Sequence, residues 1–257
     1  MKNNSLYPST LFHFTEKKWL FEILKTTFRV SYARERITAP NNEREFAVPM
    51  VSFCDIRLAE IKYFLEKEYG NFGIGLTKEW ANRNGLNPVM YINRHSDLAD
   101  NLIDGLNGVY QHIGILKNPK SKRKLARNYF NIMNMYRYIK NYEGELIRKE
   151  KLIDKNYRFA DEREWRYVPS IENIEIEPFV AISNITTKKQ KEEYNKRISH
   201  IRLSFQPDDI KYLIVEKESD ISELIDYLNY AKSRFSPEVR KKLASRILTV
   251  EQIKNDI

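Results

Sequence analysis

An α+β fold is predicted for this chain by three observations. Short apolar strand candidates near the amino terminus run directly into amphipathic helices, a long helical stretch occupies the middle, and strands return after it. The chain has 257 residues, 42% of them hydrophobic and 12% aromatic, enough to bury a real core. Its 16 Tyr and 13 Phe argue against disorder, since such side chains are hidden only by packing. No Pro/Gly/Ser-rich linker divides it. The expectation is therefore one α+β domain over 1–257, with a mixed or antiparallel sheet core and flanking helices, a helical insertion at about 96–150 and a C-terminal helical region at about 219–257.

The elements follow in order. Residues 10–15 read as a strand, and Leu20, Ile23, Leu24 and Thr27 line one face of the helix after it. Val48 to Phe53 is a second strand. Asp55 is placed to cap a helix carrying Leu58, Ile61 and Leu65, which Gly70 ends. Phe72 to Leu76 is a third strand, Thr77 caps a short helix through Trp80, and Gly85 stops it. Pro88 to Ile92 gives a fourth. From Ser96 to about Tyr142 the pattern is helical, with Asp104-Gly105 and Asn118-Pro119 as breaks. Arg163 to Val168 is a strand stopped by Pro169, and 172–182 alternates like an edge strand. Lys188 to Arg197 is a charged helix, and Ile201 to Phe205 and Tyr212 to Val215 are strands. A helix carrying Ile221, Leu224, Ile225 and Leu228 comes next, and further helices follow Ser236-Pro237.

Composition excludes several classes. No apolar segment is long enough for a signal peptide or for the roughly 20 residues of a membrane span, so a cytoplasmic protein with no membrane partner is expected. A single cysteine, Cys54, makes no internal disulfide and has no positive neighbour to activate it. His13, His95, His112 and His200 pair with nothing at a ligand spacing, and no metal is expected. The net charge of +9 favours contact with something anionic.

Three constellations can carry chemistry. His13 and Thr15, two apart on a strand, face one side and can hydrogen-bond a ligand together; the competing reading of His13 is a core residue among Phe12 and Phe14. Glu162 and Glu164 also face one side, beside Arg163 and Arg166, as a solvated ladder of ion pairs or as a catalytic pair. Gly73 and Gly75 lack the third glycine of a dinucleotide loop and read as close strand packing. The strongest basic run is Lys117, Lys120, Lys122, Arg123, Lys124 and Arg127, followed by Tyr129 and Phe130. Such a surface suits a single-stranded nucleic acid or an acidic protein, or is a solvated helix face.

His13-Phe14-Thr15 with Leu20 and Leu24, Val48 to Asp55, Tyr69 to Trp80 and Glu162 to Pro169 together resemble the AbiGi family over about residues 10–170. The resemblance implies a component of bacterial abortive-infection anti-phage defence: an antitoxin whose cognate toxin looks like a nucleotidyltransferase. A more distant likeness runs to ADP-ribosyltransferase-like folds. It implies that His13, Thr15 and Ser52 bind NAD, and that Glu164, with Glu162 beside it, carries transfer of ADP-ribose or hydrolysis of NAD. Tyr32 and Tyr69 both remain open for the tyrosine that one subgroup of that fold uses, and Ser52 lacks the neighbouring hydroxyls of another. The alternative is a non-catalytic antitoxin that holds its toxin through the basic helical insert and binds DNA.

Overall fold

The computed structural model describes residues 8–65, 70–148, 151–173, 175–233 and 235–256. The first predicted strand forms as β1 (Thr10–Thr15), and α1 (Lys17–Thr26) buries Leu20, Ile23 and Leu24, the i, i+3, i+4 face read from the sequence. β2 (Phe28–Arg29) precedes β3 (Ser31–Thr38), which the sequence reading did not assign; it forms a hairpin with β4 (Glu43–Cys54), which contains the strand predicted from Val48 to Phe53, in unbroken register from Ser31↔Met50 to Thr38↔Glu43. Its exposed arginines hide the strand pattern, and cross-strand pairs absorb them: Arg34 to Glu45 and Arg36 to Glu43, each at 2.6 Å.

Asp55 caps no helix. Its Oδ2 instead accepts from Lys78 Nζ at 2.7 Å, and the helical segment after it is short: a 3₁₀ turn at Leu58–Glu60 and α2 (Lys62–Leu65). Gly70 takes φ +94°, and a Cβ there would lie 2.2 Å from the Thr15 carbonyl oxygen, so only glycine fits. β5 (Phe72–Thr77) and α3 (Lys78–Arg83) form as predicted, Thr77 Oγ1 accepting from the Trp80 amide at 3.1 Å and Gly85 turning at φ +67°. Gly75 is close packing indeed, since a Cβ would meet Phe12 Cε1 at 2.8 Å.

The strand predicted at 88–92 is two: β6 (Asn87–Pro88) and β7 (Met90–Ile92), with different partners. Helix α4 (Asp97–Ile115) runs straight through Asp104-Gly105, where the predicted break does not occur. A single glycine costs a helix only about 1 kcal/mol, which the buried Ile103 and Leu106 outweigh. The break at Asn118-Pro119 does occur: Asn118 Oδ1 accepts from the amides of Lys120 and Ser121 at 3.0 Å, and Pro119 opens α5 (Pro119–Tyr136). Beyond the two helices, the stretch at 96–150 also holds β8 (Ile139–Asn141) and β9 (Gly144–Arg148), the latter paired with β10 (Lys151–Tyr157).

After a 3₁₀ turn at Phe159–Glu162, β11 (Glu164–Tyr167) ends before Pro169. The edge strand predicted at 172–182 shrinks to β12 (Val180–Ala181), paired to β4, with turns before it. α6 (Lys188–Arg197) begins on a Thr187–Gln190 capping box. β13 (Arg202–Leu203), β14 (Ile210–Val215), α7 (Ser219–Ala231), α8 (Pro237–Ala244), β15 (Ile247–Thr249) and α9 (Val250–Asp256) complete the chain. The predicted α+β class is what forms: a multi-stranded, mostly antiparallel sheet with helices. Among the described residues no helix is long and apolar enough to cross a membrane.

Two compact units share this chain. One comprises residues 1–30, 51–86 and 199–257; in it β14, β5 and β1 run antiparallel, β15 adds in parallel, and Phe12 pairs with Cys54 of β4. Its core includes Phe12, Phe14, Ile61, Phe64, Ile214 and Ile253. The other comprises 31–50 and 87–198, and packs Ile37, Phe46, Val48, Ile103, Leu106 and Tyr136 beneath α4 and α5.

Candidate functional site

A knot of buried charge lies within the second unit. β11 places Glu164 and Arg166 two apart, on one buried face; β3 brings Glu35, β8 brings Lys140, and the 3₁₀ turn before β11 brings Glu162. Arg166, wholly buried, donates from Nε to Glu164 Oε1 at 2.7 Å, from Nη2 to Glu164 Oε2 at 3.0 Å, and from Nη1 to the Arg137 carbonyl at 3.0 Å. Its Nη2 also lies 3.0 Å from Glu35 Oε1. Lys140 Nζ donates to Glu162 Oε2 at 2.9 Å and Glu164 Oε2 at 3.0 Å. The Tyr91 hydroxyl accepts the Glu164 amide at 2.8 Å. Carboxylates this deep persist as ions only because cations reach them.

The carboxylate pair is not carried on one strand face as expected. Arg163 takes a left-handed φ of +44°, so Glu162 ends the turn while Glu164 begins the strand; the Lys140 ammonium, between their oxygens, gathers them. Of the two readings weighed for this motif, Arg166 fits the ion-pair one, in a buried rather than a solvated form.

Electrostatics differ across the knot. Burial pushes the Glu35 carboxyl above the usual carboxylate range, Arg166 and Lys140 oppose it, and Glu164 adds to the rise. Burial alone would lower Lys140, but Glu162, Glu164 and Glu35 outweigh it and hold the ammonium well above its ordinary value. Arg166 is raised for the same reason, by Glu164 and Glu35. Nearby Arg137 is buried; its Nη2 donates to the Pro169 carbonyl at 2.7 Å, and burial lowers it to about 10.

Glu35 and Lys140 line a small open cleft of about 220 Å³, with Arg36, Arg94, Glu143 and Phe159 also on its wall. Asn141 holds one side of it by strand mimicry, accepting the Thr38 amide at 2.8 Å and donating to the Thr38 carbonyl at 2.9 Å. The cleft can receive a small polar group. Glu35, holding a proton to higher pH than an ordinary glutamate, is the carboxyl of the knot that lines it. Both oxygens of Glu164 are already taken by cations. Among the described residues no group of three His, Cys, Asp or Glu is arranged to hold a metal ion.

His13, Thr15 and Ser52 belong to the other unit. His13 Nδ1 lies 2.8 Å from the Ser52 carbonyl, which only accepts, so Nδ1 carries the proton. The ring packs against Phe28 at 5.2 Å and Phe53 at 5.6 Å, and burial lowers its pKa against the opposing pull of that carbonyl. A neutral histidine among aromatics fits the core reading. Thr15 follows on the same half-buried face, and Ser52 meets His13 through its backbone. The basic run lies where expected, exposed at the α4–α5 turn and along α5.

Glu35, Lys140, Tyr91 and Asn141 were not singled out by the sequence reading. They lie in three separate strands, and only strand pairing collects them: Tyr91 sits opposite Lys140 in the parallel β7–β8 pair.

Comparison with known proteins places the chain in a family. Residues 26–216 match the family model described as "Putative abortive phage resistance protein AbiGi, antitoxin". The "Abortive phage resistance protein AbiGi" of Lactococcus lactis subsp. cremoris is 29% identical over 228 residues, covering 83% of this chain and 90% of the relative. No solved structure matches it significantly, so the ADP-ribosyltransferase likeness gains no support from known folds. The matched region begins later and reaches further toward the carboxyl end than the resemblance read from the sequence. The chain belongs to the AbiGi family of abortive phage resistance proteins.

Proposed function

We propose that this protein serves anti-phage defence as an antitoxin that works by binding a cognate toxin, not by turning over NAD. The observation that carries the reading is the state of Glu164. Its oxygens are held by Arg166 at 2.7 and 3.0 Å and by Lys140 at 3.0 Å. Both oxygens of a carboxylate so engaged are committed to the protein's own cations, and turning it toward a ribose would break three buried charge-assisted hydrogen bonds.

The toxin's docking surface is assigned to the β9–β10 ribbon. Ile147, Leu152 and Ile153 are 49%, 46% and 42% exposed there, with Leu152 directly across from Ile147. A lone two-stranded ribbon is marginal in water, and apolar side chains on one are characteristic of a surface that a partner covers. The test has two arms. Incubated with NAD, the pure protein should release no nicotinamide; release that disappears in Glu164→Gln or Glu35→Gln would overturn the non-catalytic reading. Co-expressed with a cognate toxin, wild type should restore growth and co-purify with the toxin, and Ile147→Asp/Leu152→Asp should do neither while keeping its circular dichroism. Full neutralisation by that variant would remove the ribbon from the account.

A further inference from the structure

Residues 105–142 contain no Asp or Glu at all, yet carry Lys117, Lys120, Lys122, Arg123, Lys124 and Arg127. Net charge alone would not make this a site; its placement does. On α5 the inward face takes Leu125, Tyr129, Met133 and Tyr136, which are buried or half-buried. That phase turns Lys120, Arg123, Lys124 and Arg127 outward on successive turns about 5.4 Å apart, and all four are exposed. The ion pair found on this face joins Arg127 to Glu172 at 3.9 Å, with the side chains 79% and 81% exposed, a contact worth little in water.

Exposed aromatic rings lie at the edge of this face. Phe130 follows Arg123 and Arg127 at i+7 and i+3 and is 50% exposed. Tyr110 of α4, 64% exposed, lies 5.6 Å from the Tyr129 ring, which in turn lies 5.9 Å from Phe130. Asn131 and Asn134 extend the face with donors and acceptors and without charge. Cations alone would suit any anion. Exposed rings directly beside them suit an anion that also offers flat, unstacked bases.

We propose that the outward face of α5 binds single-stranded nucleic acid. Lys120, Arg123, Lys124 and Arg127 neutralise backbone phosphates, while Phe130 stacks on an unpaired base. This surface shares no residue with the β9–β10 ribbon, so either assignment can fail without the other.

The experiment is fluorescence anisotropy of the full chain with labelled 20-nucleotide RNA and DNA single strands, a duplex of the same DNA sequence, and polyglutamate as competitor. Single strands should bind more tightly than the duplex, and the stronger of the RNA and DNA arms names the source. With four phosphate contacts the slope of log K against log salt should be about −2.8. Reversing the four cations to Glu should weaken binding at least tenfold and flatten the slope. Phe130→Ala should weaken it about fivefold or more and leave the slope unchanged. The milder pair Lys120→Ala/Lys124→Ala, on exposed positions, covers the case in which the fourfold reversal fails to fold, and should still lower both affinity and slope. No binding at low salt would overturn the proposal. So would duplex or polyglutamate binding as tight as the single strands, or an affinity that Phe130→Ala leaves unchanged.

Discussion

Replacing Arg166 by Met tests the buried charge knot directly. Methionine fills much of the same volume but removes the donors that reach Glu164 at 2.7 and 3.0 Å and Glu35 at 3.0 Å. Lys140 still reaches Glu164, so Glu35 becomes the worst-placed carboxylate, only 8% exposed and, among the described residues, with no other cation in ion-pair contact. Breaking a buried pair by deleting one partner costs roughly 3–5 kcal/mol, a large share of the 5–15 kcal/mol that typically separates folded from unfolded chains. Urea unfolding followed by circular dichroism at pH 7.5 should show a lowered midpoint with an unchanged slope. The loss should also depend on pH in a fixed direction. Without Arg166 the folded-state pKa values of Glu35 and Glu164 rise; a carboxyl raised above its unfolded value of about 4.3 contributes stability below that pH and loses it as pH climbs through the folded value. The variant should therefore sit closest to wild type near pH 4.5 and furthest at pH 7.5. A loss under about 1 kcal/mol, or one equal at both pH values, would refute the reasoning, because exposed ion pairs behave that way.

Other consequences are separately measurable. In the wild type, burial already raises Glu35, so Glu35→Gln should be as stable as wild type or more stable at pH 7.5, the difference fading toward about pH 4; a clear loss at pH 7.5 would mean that its pair with Arg166 is net stabilising. The lowered pKa of His13 has the opposite sign. Stability is intact above about 6.5 and falls as pH drops toward the folded value, so His13→Asn, which keeps a donor for the Ser52 carbonyl, should flatten the pH 5–7 profile. Gly75→Ala should cost about 1–3 kcal/mol in thermal unfolding, its Cβ meeting Phe12 Cε1 at 2.8 Å and Thr10 Cγ2 at 2.9 Å. Gly105→Ala, with open space around it in α4, should instead gain about 0.5–1 kcal/mol. Removing the α5 cap with Asn118→Ala should cost about 1 kcal/mol.

What could be read from the sequence is what local chemistry dictates. Leu20, Ile23 and Leu24 announce α1, Thr77 and Gly85 bracket α3, Asn118-Pro119 opens α5, and Lys188 to Arg197 forms the helix its charges suggest. Each signal lies within one or two turns of the residues it governs. The reading failed where the deciding partner is distant. β3 carries Arg34 and Arg36, which look like loop residues until Glu45 and Glu43 reach them diagonally from β4. The 88–92 run splits because β11 pairs with Pro88 while β8 pairs with Met90.

The candidate site divides in the same way. Glu162, Glu164, Arg166 and the basic face of α5 were visible in sequence as chemistry, and the family was visible in Val48 to Asp55, Tyr69 to Trp80 and Glu162 to Pro169, all within the matched region. Whether Glu164 is a free carboxylate or a neutralised one could not be read there, because Lys140 reaches it from 24 residues before, and Glu35, from the first hairpin, shares its partner Arg166. Composition and periodicity determined the α+β class, the main helices and the cationic surface. Only the tertiary structure decided that the paired glutamates end in a buried ion knot, since a carboxylate's protonation and reach depend on which charges the fold brings within about 3 Å of it.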